Sequence, residues 1–163
     1  TFDSKILADQ GINHLAVQSY HSLTIEPYIL RGIHVSLAPY TEAKLITALT
    51  GKMFWVCVDL REGSTTFAKS FGAELSEEDR TALYVPRGFA HGCLSLAAAT
   101  SVSIVADRPY SEEYSTGILW NDPDLNIEWP KGTDVSYKSK MNLAYPSFAD
   151  FLTQHKALAP KES

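Results

Sequence analysis

Short runs of β-branched and aromatic residues follow one another at intervals of about ten residues between positions 28 and 120. They include KLITALT, MFWVCVDL, KSFGAEL, ALYVP, GCLSLA and TSVSIVA, which are separated by turn sequences such as EGST, SEED and PRG. Because no long helical stretch lies between these runs, they predict the strands of an antiparallel sandwich or barrel. We therefore expect an all-β fold.

The first two of these runs flank the dipeptide Gly51-Lys52, and this arrangement predicts a β-hairpin. Successive residues of a strand point to opposite faces of its sheet. In the second run, alternation therefore places Asp59, together with Trp55 and Cys57, on the face opposite the set Phe54, Val56, Val58 and Leu60.

A helix is expected near the carboxyl end, where Ser147 can cap it and Asp150 favours its positive end. The residues that follow form a stripe at helical spacing, Phe148, Phe151, Leu152 and His155. We expect this helix to close the barrel. No linker-like stretch divides the chain, so residues 1–163 are expected to form one domain.

Charge and composition argue against several partners and locations. The chain has 14 Lys and Arg against 19 Asp and Glu, without a basic cluster, so we expect no nucleic-acid partner. No apolar run reaches the roughly 20 residues that a membrane-spanning helix needs, and the first residues lack a signal-peptide pattern. We expect a cytoplasmic protein without membrane association. Cys57 and Cys93 lie in apolar runs and are expected to be buried free thiols.

Two histidines are candidates for proton transfer, because the ordinary pKa of histidine is about 6.5. His34 occurs in LRGIHVS and His91 in VPRGFAHGCLSL, both near glycines that can let a ligand approach the backbone. Spacing alone nevertheless favours histidines that are hydrogen-bonded within a barrel wall. Ser36 stands where a His-x-His pair would need a second histidine, and Gly92 follows His91. Two isolated histidines leave a transition metal short of ligands, so we expect no metal site.

Lys44 opens the first strand run, and two interpretations of it stay open. A lysine at the start of a strand is usually exposed, whereas one that points inward can stabilise negative charge on a substrate oxygen. The sequence contains no phosphate-binding loop, no G-x-G-x-x-G and no G-x-S-x-G. It therefore lacks the usual signatures of phosphoryl transfer, dinucleotide-dependent redox chemistry and serine hydrolysis.

Four segments carry a family resemblance, in the order RGIH (31–34), AKLITALTGKMFWVCVDLREGSTTF (43–67), ALYVPRGFAHGCLSL (82–96) and GILWNDPDLNIEWP (117–130). Together, from about residue 2 to about residue 152, they resemble the dTDP-4-dehydrorhamnose 3,5-epimerase family. The amino-terminal strand of that family, with its D-x-R-G-x-F element, has no counterpart here. Thr1-Phe2 matches the point just after it, so we expect that the native amino-terminal strand is missing.

The resemblance implies a cupin-type antiparallel barrel, or jelly roll, that is usually a homodimer and uses no metal or other cofactor. It implies a substrate in which a 4-keto-6-deoxy sugar is linked to a nucleoside diphosphate. The implied reaction removes a proton beside the C4 ketone and returns one from the opposite face, at C3 and C5. Such chemistry needs a base, a group that stabilises the enolate oxygen, an acid on the other face and cations for the diphosphate.

The resemblance also implies roles for individual residues. His34 matches the general base of the family, and Lys44 matches the lysine beside the keto oxygen of the sugar. Further positions match substrate-contacting residues, namely Arg31, His91, the pocket carboxylate Asp59, and Tyr110 near the nucleotide.

Two positions depart from the family. Ile104 stands where the family has a tyrosine acid, and Asn142 stands where an aspartate usually orients the base. Isoleucine cannot donate a proton, and asparagine cannot stabilise an imidazolium as a carboxylate does. Water, Tyr20 or Tyr110 would then have to return the proton, and we expect Tyr20 among the substrate-binding residues.

Two functions therefore stay open. The first is an isomerase of altered outcome, which inverts one carbon more readily than two and for which double epimerisation of dTDP-4-keto-6-deoxyglucose is slow or absent. The second is a non-catalytic sugar-nucleotide-binding protein that has kept the pocket. The joint presence of His34, Lys44 and Arg31 favours the enzyme.

Overall fold

The computed structural model describes residues 3–130, 144–155 and 158. Within these ranges nine strands and two short helices are formed. The strands are β1 (Gln18–Thr24), β2 (Leu30–Ser36), β3 (Lys44–Thr50), β4 (Lys52–Asp59), β5 (Ser70–Ser76), β6 (Ala82–Val85), β7 (Phe89–Ser95), β8 (Thr100–Ala106) and β9 (Ser115–Gly117). The helices are α1 (Ser4–Asp9) and α2 (Phe148–His155).

The strands form two antiparallel sheets. One sheet has the order β1-β8-β3-β6, and the other has the order β5-β4-β7-β2-β9. Their inner faces contribute to one apolar cluster, which includes Ile46 and Val102 from the first sheet and Trp55 and Cys57 from the second. The expected all-β, antiparallel architecture is confirmed.

The predicted hairpin of β3 and β4 is wrong, because the two strands belong to different sheets. β3 pairs with β6 and β8, whereas β4 pairs with β5 and β7. The chain crosses between the sheets at Gly51, which has a φ of 70°. A Cβ atom at Gly51 would lie 2.6 Å from the hydroxyl oxygen of Thr100. Two strand-forming runs around a tight turn indicate that the chain changes direction. They do not indicate whether the two strands pair with each other or belong to different sheets.

The alternation expected for β4 is confirmed, and both of its faces are buried. Val56 and Val58 lie in a second apolar cluster with Phe148 and Phe151 of helix α2. Since this cluster lies on the outer face of the five-stranded sheet, α2 covers that face and does not close the barrel as expected.

The predicted start of the helix is confirmed, because the Ser147 hydroxyl accepts a hydrogen bond from the Asp150 N–H at 3.1 Å.

Two elements lie outside the predicted strand region. β1 has the largely polar sequence QSYHSLT and forms an edge of its sheet, pairing with β8. An edge strand with one face towards solvent gives a weak hydrophobic signal. Helix α1 is capped by Asp3, whose carboxylate accepts hydrogen bonds from the N–H groups of Lys5 and Ile6.

The cysteine expectation is confirmed, because Cys57 and Cys93 are free and buried. Burial raises the pKa of both thiols to about 12, so neither is a ready nucleophile at neutral pH. None of the helices in the described ranges has the length and apolar character needed to cross a membrane.

Alanine at the sheet crossing tests how tightly the two sheets join there. Replacing Gly51 by Ala forces an L-residue into a positive φ, at about 1–2 kcal/mol, and adds the contact with Thr100. Gly63→Ala is the matched control, because Gly63 has a φ of 73° but a Cβ added there would have no atom within 4 Å. Urea denaturation is expected to show a larger stability loss for Gly51→Ala than for Gly63→Ala, and equal losses would contradict the close contact between Gly51 and Thr100.

Candidate functional site

A cavity of about 230 Å³ lies between the two sheets. The five-stranded sheet contributes Arg31 and His34 from β2 and His91 from β7, and the four-stranded sheet contributes further side chains, Tyr20 from β1, Lys44 from β3 and Ile104 from β8. A molecule bound in the cavity would therefore have one sheet on each side.

The two histidines are neighbours across strands β2 and β7. His34 pairs with His91 in register, and their ring centroids are 6.2 Å apart. Glycine is required here because the two backbones approach closely: a Cβ on Gly32 would lie 2.7 Å from the Cα of Gly92. The absence of a side chain at Gly32 thus allows β2 and β7 to pack closely, whereas the sequence had suggested that it allows a ligand to approach the backbone.

His34 is neutral at ordinary pH. Burial, followed by the positive charges of Lys44 and Arg31, lowers the pKa of its imidazole to about 4. Its Nδ1 lies 2.8 Å from the hydroxyl of Tyr145, and the described residues place no hydrogen-bond partner on Nε2. A neutral imidazole with one nitrogen unoccupied is able to accept a proton.

Lys44 points into the cavity and is 7% exposed, so the usual expectation of an exposed strand-start lysine is wrong here. Its Nζ lies 2.8 Å from Nε2 of His91 and 3.0 Å from a carboxylate oxygen of Glu42. An ammonium group only donates, so His91 accepts at Nε2 and carries its proton on Nδ1. Burial, followed by the charge of Lys44, lowers the pKa of His91, which keeps this acceptor neutral.

Glu42 is a cavity residue that the sequence reasoning did not select. Its carboxylate accepts a hydrogen bond from the Ser36 hydroxyl at 2.8 Å and faces the Lys44 ammonium. Glu42 and Lys44 are two residues apart in the sequence, and this spacing was the signal that could have identified Glu42 as a cavity residue. The pair of opposite charges offsets part of the cost of burying each of them.

Arg31 and Tyr110 lie towards solvent. The guanidinium of Arg31 donates to the Ser22 hydroxyl at 2.8 Å and to the Leu23 carbonyl at 3.3 Å, which fixes its orientation along the cavity wall. Tyr110 is 59% exposed, and its N–H donates to the side chain of Gln18 at 2.7 Å. Both residues line the cavity.

The structure does not bring Asp59 to the cavity. Its buried carboxylate accepts hydrogen bonds from Arg61, Ser64 and Thr66. Burial alone would raise the pKa of this carboxyl, but these hydrogen bonds hold it well below its usual range. The cavity residues on the same face of β4 are Met53 and Trp55, of which Trp55 is the nearer to Asp59, four positions earlier and about 13 Å back along the strand. Trp55 stacks on His91 with centroids 5.8 Å apart.

Tyr20 lies directly opposite Ile104 in the pairing of β1 with β8. Both side chains line the cavity, on the wall that faces His34. Burial, followed by the negative charge of Glu42, raises the pKa of Tyr20 to about 12, so its hydroxyl carries a proton at neutral pH. Asn142 lies outside the described residues. Tyr145, three positions later, contacts His34 and was not singled out by any sequence pattern.

Among residues 3–130, 144–155 and 158, no group of three or more His, Cys, Asp or Glu side chains is arranged to hold a metal ion. The positive groups at the cavity are those of Arg31 and Lys44.

Comparison with known proteins decides the family. The sequence model described as dTDP-4-dehydrorhamnose 3,5-epimerase matches residues 1–150. The chain belongs to this family. The dTDP-4-dehydrorhamnose 3,5-epimerase of Sinorhizobium fredii is 43% identical over 136 residues, which are 83% of this chain and 68% of that protein. The family expected from the sequence, and with it an enzyme of the sugar-nucleotide epimerase class, is confirmed.

Solved structures of the family share the fold. The dTDP-4-dehydrorhamnose 3,5-epimerase of Elizabethkingia anophelis superposes with a TM-score of 0.86 at 36% identity, over 91% of this chain and 81% of that one. An epimerase from Legionella pneumophila, solved in complex with dTDP-4-keto-L-rhamnose, gives a TM-score of 0.89 at 31% identity, over 100% of this chain and 85% of that one. The expected cupin-type jelly roll is thereby confirmed.

The low pKa of His34 predicts a specific pH dependence of stability. In the unfolded chain the imidazole pKa is about 6.5, so between pH ~6.5 and pH 4 only the unfolded state takes up this proton. The free energy of unfolding is therefore expected to fall as the pH drops through this window. Thermal denaturation of His34→Asn at several pH values should show a smaller loss than the unaltered protein. Equal losses in both proteins would contradict the lowered pKa.

Proposed function

We propose that this protein is an epimerase of a nucleoside-diphosphate-linked 4-keto-6-deoxy sugar, in which His34 is the base and Tyr20 the acid. The observation that supports the proposal most strongly is the placement of these two side chains on opposite walls of one cavity. Inversion of a carbon requires that a proton leave from one face and return to the other. A sugar ring lying between the sheets would meet both groups in that way.

The first step is proton removal beside the ketone. The Nε2 lone pair of His34 takes the proton, the C–H electron pair forms the carbon–carbon double bond, and the carbonyl π pair moves onto the oxygen. Lys44 stabilises the resulting enolate. Its ammonium has three N–H donors, of which Glu42 and His91 engage two, and the third is available to the substrate oxygen.

The second step returns a proton to the opposite face. The Tyr20 O–H protonates the carbon as the enolate reverts to the ketone, and solvent then carries a proton from the His34 imidazolium back to the phenolate. Tyr20 is favoured over Tyr110 because Tyr20 pairs with Ile104 and is the less exposed of the two side chains, at 37% against 59%. Ile104 itself supplies an apolar wall.

An altered outcome is part of the proposal. Paired residues of adjacent antiparallel strands have Cα atoms about 5 Å apart. The phenol of Tyr20 is therefore displaced from the place that a tyrosine at position 104 would give it. The displacement is comparable to the width of a sugar ring. Such a displacement favours protonation at one of the two carbons that flank the ketone. Inversion at one carbon is therefore expected to predominate over double epimerisation.

The remaining features follow from the same substrate. Arg31 is the cation proposed for the diphosphate, and Tyr110 is proposed to lie near the nucleotide. His91 holds Lys44 in place. Asp59 is proposed to maintain the 61–66 loop through its hydrogen bonds.

We place the protein in the cytoplasm, where activated sugars are consumed in biosynthesis. A homodimer is supported by edge strand β1, where apolar side chains near the strand are exposed, Leu23, Ile25 and Tyr28.

A non-catalytic sugar-nucleotide-binding protein is the second candidate. The observation that favours it is the isoleucine that lines the cavity at position 104, where the family resemblance implies a proton donor. Binding would then persist through Arg31 and Lys44 without exchange of any substrate proton.

Solvent exchange distinguishes the two functions. In D₂O the unaltered protein is expected to incorporate deuterium next to the ketone of dTDP-4-keto-6-deoxyglucose, as followed by NMR. His34→Asn should slow the exchange by about 10²–10⁴-fold because the base is lost. Binding of the nucleotide sugar without exchange above the background would instead establish the binding protein.

The role of Tyr20 has a separate signature. In Tyr20→Phe, His34 can still remove a proton and return a deuteron to the same face, so exchange should continue while inversion falls by about 100-fold or more. Ile104→Tyr is expected to raise inversion at the second carbon. NMR analysis of product configuration measures both effects. Normal inversion by Tyr20→Phe, combined with its loss in Tyr110→Phe, would contradict this assignment.

A further inference from the structure

Tyr145 lies in the segment before helix α2 and contacts the proposed base from the side of Nδ1. Its hydroxyl oxygen is 2.8 Å from Nδ1 of His34, and the two rings meet edge to face with centroids 5.8 Å apart. Tyr145 is not among the residues that line the cavity. The hydrogen bond therefore leaves Nε2 as the nitrogen available to a substrate.

The position of the Tyr145 ring is built into the sheet. His34 pairs with Gly117 across β2 and β9, and the ring occupies the space that a side chain at position 117 would take. A Cβ atom on Gly117 would lie 2.4 Å from Cε2 of Tyr145. The glycine beside the base thus makes room for the phenol that holds it.

The direction of this hydrogen bond follows from the chemistry of the base. If the phenol donated to Nδ1, the ring proton of neutral His34 would be on Nε2, and His34 could not accept a substrate proton there. After proton transfer both ring nitrogens carry hydrogen, so the hydroxyl oxygen must then accept from Nδ1–H. Accepting from Nδ1–H beforehand requires no rearrangement during the reaction.

We propose that Tyr145 is the positioning residue of the base and fixes His34 in the Nδ1–H tautomer through its hydroxyl oxygen. This inference rests on the proposed function of His34. Tyr145 thereby orients the imidazole, the task that an aspartate performs in the family resemblance. Unlike a carboxylate, it supplies a dipole and no charge. Burial raises the pKa of Tyr145, which keeps the phenol neutral.

Tyr145→Phe tests the proposal because it removes the hydroxyl and keeps the ring. Tyr114→Phe is the matched control, since Tyr114 packs against Tyr40 and does not line the cavity. The ¹⁵N shifts of His34, assigned with His34→Asn, report the tautomer directly. We expect the Nδ1–H form in the unaltered protein and in Tyr114→Phe, and a shift towards the Nε2–H form in Tyr145→Phe. The kcat of Tyr145→Phe should fall by about three- to tenfold with little change in KM.

The tautomer measurement separates failure of this inference from failure of the proposed function. An Nε2–H tautomer in the unaltered protein, or shifts and kcat that Tyr145→Phe leaves unchanged, would overturn the role of Tyr145. If the protein exchanged no substrate proton but lost the Nδ1–H form in Tyr145→Phe, the positioning of His34 would stand and its use as a base would not.

Discussion

The site depends on the close approach of strands β2 and β7. At Gly32 and Gly92 the two backbones run so near each other that a Cβ on Gly32 would lie 2.7 Å from the Cα of Gly92. This contact sets the pairing that places His34 beside His91 on one wall of the cavity. A larger residue at Gly32 would separate the strands and change the direction of both imidazoles.

The charges of the cavity are arranged around Lys44. Its ammonium is held by Glu42 and by the neutral acceptor His91, while its charge lowers the pKa of His34 further than burial alone would. In the proposed mechanism this lysine adds to the effect of burial in keeping His34 unprotonated before the reaction, and it stabilises the anion that His34 would produce. Proton abstraction needs both conditions.

The sequence predicted what depends on local pattern and on the family's motifs. Alternating runs identified most of the strands, and ordered motifs selected His34, Lys44, Arg31 and His91, which the structure brings to one cavity. It did not predict what depends on long-range pairing. That β3 and β4 belong to different sheets follows from strand pairing. Tyr20 was expected at the site as one of three possible proton sources, but its place directly opposite Ile104 follows from strand register. Tyr145 contacts a residue 111 positions away and belongs to no motif.

In the proposed mechanism His34 and Tyr20 address opposite faces of one sugar ring. A crystal structure with a bound dTDP-4-keto-6-deoxy sugar measures this directly. We predict His34 Nε2 within about 3.5 Å of a carbon beside the ketone, Tyr20 Oη at a similar distance on the other face, and Lys44 Nζ on the keto oxygen. A sugar ring with both residues on the same face, or with Tyr20 turned away from it, would contradict this mechanism.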